Sequence, residues 1–356
     1  MKDQTLPERY AEMADEELAE GIRRARERLG REPVILGHHY QADSVIQFAD
    51  YTGDSLELSR RAAEVRDARY IVFCGVNFMA ETAAMLCDES QVVCQPAVEA
   101  FCPMAHLASP EDIVTAWDAL TGVWGDDLVP ITYQNSVAAA KAEVGRRGGA
   151  VCTSSNAEAL FRWAFGQKGH ILFTPDEHLG TNTALAMGIP QDEIGLWDPV
   201  HPPNPQTLAH CRVVVWKGYC YVHTTFKPED VDAMRAKYPD ARVVVHPECP
   251  HDVVAKADAY GSTTRIIKYV REAPSGSTVV VGTEWHLVNR LQQQHPDKTV
   301  VPLRRVGCRT MGMTRMNHLL YVLDGLLEGT PRNVVTVDKD TTYWAGIALE
   351  RMLAAN

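Results

Sequence analysis

Three short stretches of this chain put proton-carrying and anion-binding side chains directly after runs of branched aliphatic residues: PVILGHHYQ, LVPITYQN and ARVVVHPE. The aliphatic runs predict buried strands, so His38, Tyr40, Tyr133, Asn135, His246 and Glu248 fall at strand ends. One histidine in such a place is more often a satisfied structural group. A His-His-Tyr, a Tyr-Asn pair and a His-Pro-Glu in matching places read instead as proton donors, acceptors and anion ligands.

Three other stretches, QVVCQPAVEAFC, CRVVVWKGYC and KTVVPLRRVGC, each run from a strand-like segment to a cysteine: Cys102, Cys220 and Cys308. Cys220 has no second cysteine two or three residues away, so it is neither a zinc-ribbon knuckle nor a thioredoxin-type redox pair. A third set, YTGDSLELSRRAAE, VCTSSNAEALFRWA and YGSTTRIIKYV, opens helices with small hydroxyl residues. Free N–H groups and partial positive charge at a helix start suit phosphate or carboxylate. Ser55, Ser154, Ser155, Ser262 and Thr263 therefore either hold such anions or simply cap their helices.

The elements that must position these residues repeat. Strand, helix, hydroxyl turn with helix, strand with helix, and strand leading to cysteine recur three times in the same order. Strand-like runs of four to six residues alternate with longer helical patterns, which predicts parallel sheets. The expected fold is α/β: three pseudo-equivalent three-layer αβα domains with small parallel sheets around a central cluster site. The segments are 1–125 with an N-terminal helix, 126–240, and 241–356 with a C-terminal helical extension. After the last cysteine, TMGMTRMNHLLYVLDGLLEG reads as a helix, VVTV as a strand and TTYWAGIALERMLAAN as a final helix.

Composition narrows the class. With 46% hydrophobic and 23% charged residues, the chain is globular rather than disordered. A formal charge of −11 argues against a general nucleic-acid or membrane-surface binder. The start, MKDQTLPERYAEMADEELAE, is charged throughout and has no apolar signal-peptide core. No apolar run is long enough to span a membrane, and the expected compartment is the cytoplasm. Nine cysteines, an odd number, are expected as buried thiols, nucleophiles or metal ligands rather than disulfides.

Cys102, Cys220 and Cys308 occupy one place in three copies, which invites convergence on a single metal centre. Soft thiolates suit an iron–sulfur cluster, and a [4Fe–4S] cluster held by three cysteines leaves one iron open to substrate. Zinc would want a fourth ligand or histidine and carboxylate company. A nucleophilic cysteine with His223 as its base is a further reading, though it does not explain why there are three. The remaining Cys74, Cys87, Cys94, Cys152, Cys211 and Cys249 have no counterparts between copies, and most of them are expected to be inert buried thiols.

GHHYQ, GDSLELSRRAA, FCGVNFMAETA, YQN with CTSSNA, PDEHLGTNTA, KGYCYVH, VVHPEC, GST and VGTE follow one another from about Val34 to Cys308. In this the chain resembles the quinolinate synthase family. The resemblance implies an oxygen-sensitive enzyme of de novo NAD biosynthesis that condenses iminoaspartate with dihydroxyacetone phosphate to quinolinate, phosphate and water. It implies a [4Fe–4S] cluster on Cys102, Cys220 and Cys308, and L-aspartate oxidase as functional partner, since iminoaspartate is unstable in water. Carried onto this sequence, it makes His38 and Tyr40 substrate contacts that assist proton transfer. Tyr133 and Asn135 become substrate contacts, and His246 and Glu248 a pair in which the glutamate is the general base. Ser55, Ser154, Ser262 and Thr263 become carboxylate and phosphate contacts. Tyr40, His38, Glu248, His246 and Tyr133 form the expected catalytic set.

The chain departs from the family at Phe101, where glycine is common, at Asn77, where histidine is common, and at Thr310, where asparagine is common before Met311. It also lacks the cysteine needed for a Cys-x-x-Cys switch beside Cys308. Two other readings stand beside this one. An iron–sulfur hydro-lyase would act on a different small hydroxy acid. A non-enzymatic iron–sulfur sensor would not need the strand-end Tyr, His and Glu set, and the chain has no basic patch or DNA-binding helix pair.

Overall fold

The structure, a computed structural model, describes residues 6–355. The first five residues of the charged N-terminal stretch and the last residue of the expected C-terminal helix lie outside the described residues. Residues up to Cys102 together with Cys308–Asp338 form one compact unit. Pro103–Gly307 and the stretch from Lys339 form another.

In the first unit β1 (Pro33–His38), β2 (Tyr51–Gly53), β3 (Tyr70–Cys74) and β4 (Val92–Cys94) pair in the order β2-β1-β3-β4. All three pairings are parallel. Every residue of β1 and β3 is buried, as expected of parallel strands covered on both faces. The helix Asp15–Leu29 buries Leu18, Ile22, Ala25 and Leu29, a spacing of four, three and four that keeps one stripe inward. It packs with Leu319, Leu320 and Leu323 of the helix Met316–Leu327. VVTV is not a strand. Its first residue, Val334, makes a single antiparallel bridge to Cys94, and Asn333 before it has a positive φ of 54° that interrupts extended backbone.

In the second unit β5 (Leu128–Tyr133), β6 (Ala150–Cys152), β7 (His170–Thr174), β8 (Ile194–Trp197) and β9 (Val213–Trp216) pair as β6-β5-β7-β9-β8. A third sheet takes β10 (Arg242–Val245), β11 (Ala259–Tyr260), β12 (Thr278–Gly282) and β13 (Thr299–Pro302) in the order β11-β10-β12-β13. These pairings are also parallel throughout. The first and third sheets therefore share one strand order. The second repeats it with β8 added at the edge. The protein is thus α/β, with three small parallel sheets flanked by helices, as the repeat predicts.

The closing helix Lys339–Ala354 lies on the helix Ala138–Arg146 of the same unit. Gly145 permits this, because a Cβ there would stand 1.9 Å from the Trp344 carbonyl oxygen. Among the described residues no helix is long and apolar enough to cross a membrane.

Candidate active site

The strand ends carry the chemistry. In the first unit β1 ends on His38, which is buried. The Tyr40 backbone N–H donates to His38 Nδ1 at 3.1 Å, and the two rings meet edge to face at 4.8 Å. In the second unit the Glu248 N–H donates to His246 Nδ1, again from two residues on, at 3.3 Å. Both imidazoles thus accept at Nδ1, which leaves the ring proton on Nε2 as a donor in the neutral form. Burial, followed by the neighbouring His223, pushes His246 down to about 3 despite the opposing charge of Glu248. His246 is therefore a neutral donor at physiological pH.

Around Glu248 the second unit builds a dense polar cluster. His223 Nδ1 lies 2.6 Å from Glu248 Oε2, and His223 Nε2 lies 3.0 Å from Thr283 Oγ1. The His223 and His246 rings stack at 4.4 Å with 16° between planes. Tyr133, the last residue of β5, gives Glu248 a further hydrogen bond. Burial works to raise the Glu248 carboxyl, but the two imidazoles and the His223 and Tyr133 hydrogen bonds outweigh it and hold it down to about 2. Asp176 goes the other way: burial first, then the charge of Glu248, raises it well above the ordinary carboxyl range. The two carboxyls are thus pushed in opposite directions, the kind of separation that distinguishes bases from acids in active sites.

Cys220 sits beside this cluster. One ligand atom from each of Cys220, His223 and Glu248 lies within 4.8 Å of the others. The loop bearing Cys220 follows β9, and Gly218 is its pivot. A Cβ at Gly218 would stand 2.0 Å from the Pro175 carbonyl oxygen, while Glu177 N donates to Gly218 O at 2.8 Å. Only glycine lets the KGYC loop lie against TPDEHLG.

Behind Tyr133 runs a buried hydroxyl chain. Thr174 Oγ1 donates to Thr132 Oγ1 at 3.0 Å, Thr132 and Ser136 hydroxyls meet at 2.7 Å, and Ser136 Oγ donates to Tyr133 O at 2.9 Å. Fully buried Lys141 closes it, with Nζ donating to Ser136 O at 2.6 Å. This chain fixes the turn that carries Asn135. The Asn135 Oδ1 is buried with no hydrogen-bond partner among the described residues, so the turn keeps a polar group in reserve for a ligand.

The hydroxyl turns separate into caps and other groups. Asp54, not Ser55, caps the helix Ser55–Glu64, accepting from Leu56 and Glu57 N–H. The helix Ala157–Phe165 has Asn156, not Ser154, at its N-cap position, and Asn156 Oδ1 accepts from Thr153 N at 2.8 Å. Ser262 is a true N-cap, accepting from Arg265 N, and Thr263 begins that helix, buried. Ser154, Ser155 and Ser262 line one cavity of about 190 Å³ that Arg265 also borders.

The first unit positions its two cysteines with local contacts. Asn77 Oδ1 accepts from Cys102 N at 3.3 Å, and Asn77 N donates to Ala100 O at 2.9 Å, so this departure from the family residue anchors the Cys102 loop. Phe101 beside it is 47% exposed and asks nothing of the core. Cys308 Sγ is 3.5 Å from Thr310 Oγ1, and Gln41 of GHHYQ donates to Met311 O at 3.1 Å. Cys102, Cys220 and Cys308 are each half-buried, beyond strand ends, whereas Cys74, Cys94, Cys152, Cys211 and Cys249 are buried; Cys87, from the set expected to be mostly buried, is half-buried at the C-terminal end of the helix Asn77–Leu86. Burial pushes the Cys74 and Cys94 thiols up to about 12. Three accessible soft donors on polar loops suit an iron–sulfur cluster, and inert core thiols do not.

Sequence reasoning named His223 only as one possible base and passed over Asp176, Thr283 and Lys141. The signal was present in two of the motifs, since Asp176 stands in PDEHLG and Thr283 in VGTE. Lys141 had none, because an isolated lysine in a helix reads as a solvated charge.

Such a site on an α/β frame has the acid–base groups of an enzyme, with cysteines beside them of a kind that suits a soft metal. Residues 20–354 match the family described as NadA: Quinolinate synthetase A protein. The chain is 47% identical over 353 residues to a quinolinate synthase of Bacillus cereus (strain B4264), covering 98% of this chain and 96% of that protein. A quinolinate synthase of Bacillus anthracis (strain CDC 684 / NRRL 3495) matches with the same identity and coverage. The chain belongs to the NadA quinolinate synthetase family.

Proposed function

We propose that this chain is a quinolinate synthase of NAD biosynthesis that condenses iminoaspartate with dihydroxyacetone phosphate to quinolinate, phosphate and water. The observation that carries the reading is the buried Tyr133–Glu248–His223 cluster next to Cys220, in a chain that belongs to this family over most of its length. Cys102, Cys220 and Cys308 would hold a [4Fe–4S] cluster, which when bound supplies an open iron as Lewis acid for a substrate oxygen.

The remaining roles belong to side chains. Glu248, ionised, is the base that takes a substrate proton, with the Tyr133 hydroxyl and His223 stabilising its charge. Tyr40 is the second proton carrier. His38 and His246, whose Nδ1 atoms are occupied by backbone N–H, present Nε2–H to substrate anions. The Asn135 amide oxygen accepts from the substrate imine or hydroxyl. Ser55, Ser154, Ser262 and Thr263 contact carboxylate or phosphate groups, aided at Thr263 by the start of its helix. Iminoaspartate hydrolyses in water, so an L-aspartate oxidase is the functional partner, and the reaction belongs in the cytoplasm.

Purification without oxygen tests the cofactor assignment. A brown protein with about four irons per chain is expected, and Cys220→Ala should lose the iron. A colourless zinc protein with full activity would overturn it.

A further inference from the structure

The Cys220, His223 and Glu248 side chains form a donor set of their own. Their ligand atoms lie within 4.8 Å of one another. Thiolate, imidazole and carboxylate donors around one tetrahedral ion stand about 3–4 Å apart, given metal–ligand bonds of about 2.0–2.3 Å. The adjustment required is therefore one of side chains: the His223–Glu248 pair, at 2.6 Å, opens, and the Cys220 thiol draws in. Cys220 and His223 come from a single turn, since Thr224 N donates to Cys220 O at 3.0 Å and His223 opens the short 3-10 helix His223–Thr225. Glu248 enters from the loop after β10.

We propose that in the chain without its cluster these three residues form a mononuclear site for a divalent transition ion, zinc first. Three features support it. The position between His223 Nδ1 and Glu248 Oε2, now bridged by a proton at 2.6 Å, is where the cation enters. His223 Nε2 meets Thr283 Oγ1 at 3.0 Å, the outer hydrogen bond that fixes the tautomer of a metal-bound imidazole. One dication also balances one thiolate and one carboxylate, which matters where His223 and Glu248 are nearly sealed from water. Three protein ligands leave a fourth position for water, the pattern of an open zinc site. A mixed sulfur–nitrogen–oxygen set favours zinc over ferrous iron.

Cluster and single ion cannot share Cys220, a consequence that rests on the function proposed above. Zinc in the cluster-free chain would occupy Glu248 and block cluster loading, making the site a reversible brake on an enzyme that has lost its iron. The metal site itself stands on geometry alone.

The test uses the full-length chain, stripped of iron by a chelator without oxygen and titrated with Co²⁺ as a spectroscopic stand-in for Zn²⁺. One ion per chain is expected, with a thiolate-to-cobalt charge-transfer band that Zn²⁺ abolishes. His223→Ala and Glu248→Gln should each weaken binding at least about tenfold, while Cys102→Ala and Cys308→Ala leave it unchanged. Absence of a thiolate band overturns the proposal. So does a band that survives His223→Ala, or one lost in Cys102→Ala or Cys308→Ala, which would put the ion on the cluster thiolates. Iron content and quinolinate formation of the unstripped protein are measured on the same preparation. They report on the proposed enzyme function whatever cobalt does.

Discussion

His223 Nδ1 and Glu248 Oε2 lie 2.6 Å apart with both residues at least 98% buried. A carboxylate kept ionised in such surroundings must be there for its charge, because an apolar pair of the same volume would cost less to bury. The base role proposed above for Glu248 makes use of that charge.

Glu248→Gln keeps the volume and removes the charge. We expect iron content to be unchanged and quinolinate formation to fall by about 10²–10⁴-fold, the range for loss of a general base. Iron analysis and a product assay on one preparation check this. Unchanged activity would remove Glu248 from the chemistry, and a sensor protein would be indifferent to it.

His246 gives a pH dependence with a defined sign. Its folded value is about 3 against the ordinary 6.5, so between these the unfolded chain binds the additional proton. Stability therefore rises with pH across this window and is lost as pH falls below 6.5. Glu248, held at about 2 against 4.5, adds a loss of the same sign that sets in below about pH 4.5. Urea midpoints of the cluster-free chain should show His246 costing about 2 kcal/mol between pH 7 and 5. His246→Asn should flatten that slope.

Gly218→Ala forces a Cβ toward the Pro175 carbonyl, where only 2.0 Å is available. The KGYC loop must shift, at a cost of about 1–3 kcal/mol. A lowered thermal midpoint together with reduced iron binding is expected. An unchanged midpoint would mean the loop is not seated as described.

Lys141→Met removes the ammonium that donates to Ser136 O. Loss of one buried charged hydrogen bond should cost about 1–3 kcal/mol. Because the same turn carries Asn135, substrate KM should rise in the folded variant at native iron content. A change in stability with KM unmoved would make Lys141 purely structural.

Much of this was legible in the sequence because the chain repeats. Branched aliphatic runs ending in His38, Tyr133 and His246 marked both the strands and the edge where chemistry collects. The strand order 2-1-3-4 then recurs in space as the motifs recur along the chain. The short strands β2, β6 and β11, of two or three residues, carry too little pattern to be seen. β8 was hidden inside a Pro-rich insertion that only the second copy has. VVTV misled, because branched residues alone cannot make a strand where Asn333 turns the backbone away. In the site, the residue types were readable, but the pairing of His223 with Glu248 and Thr283 joins positions 25 and 60 residues apart. Nothing in local spacing announces such a pairing.

The most direct test is product formation. Protein purified and assayed without oxygen, given dihydroxyacetone phosphate and freshly generated iminoaspartate, should form quinolinate and release one phosphate for each quinolinate made. Iron-loaded protein that forms no quinolinate under these conditions would contradict the account.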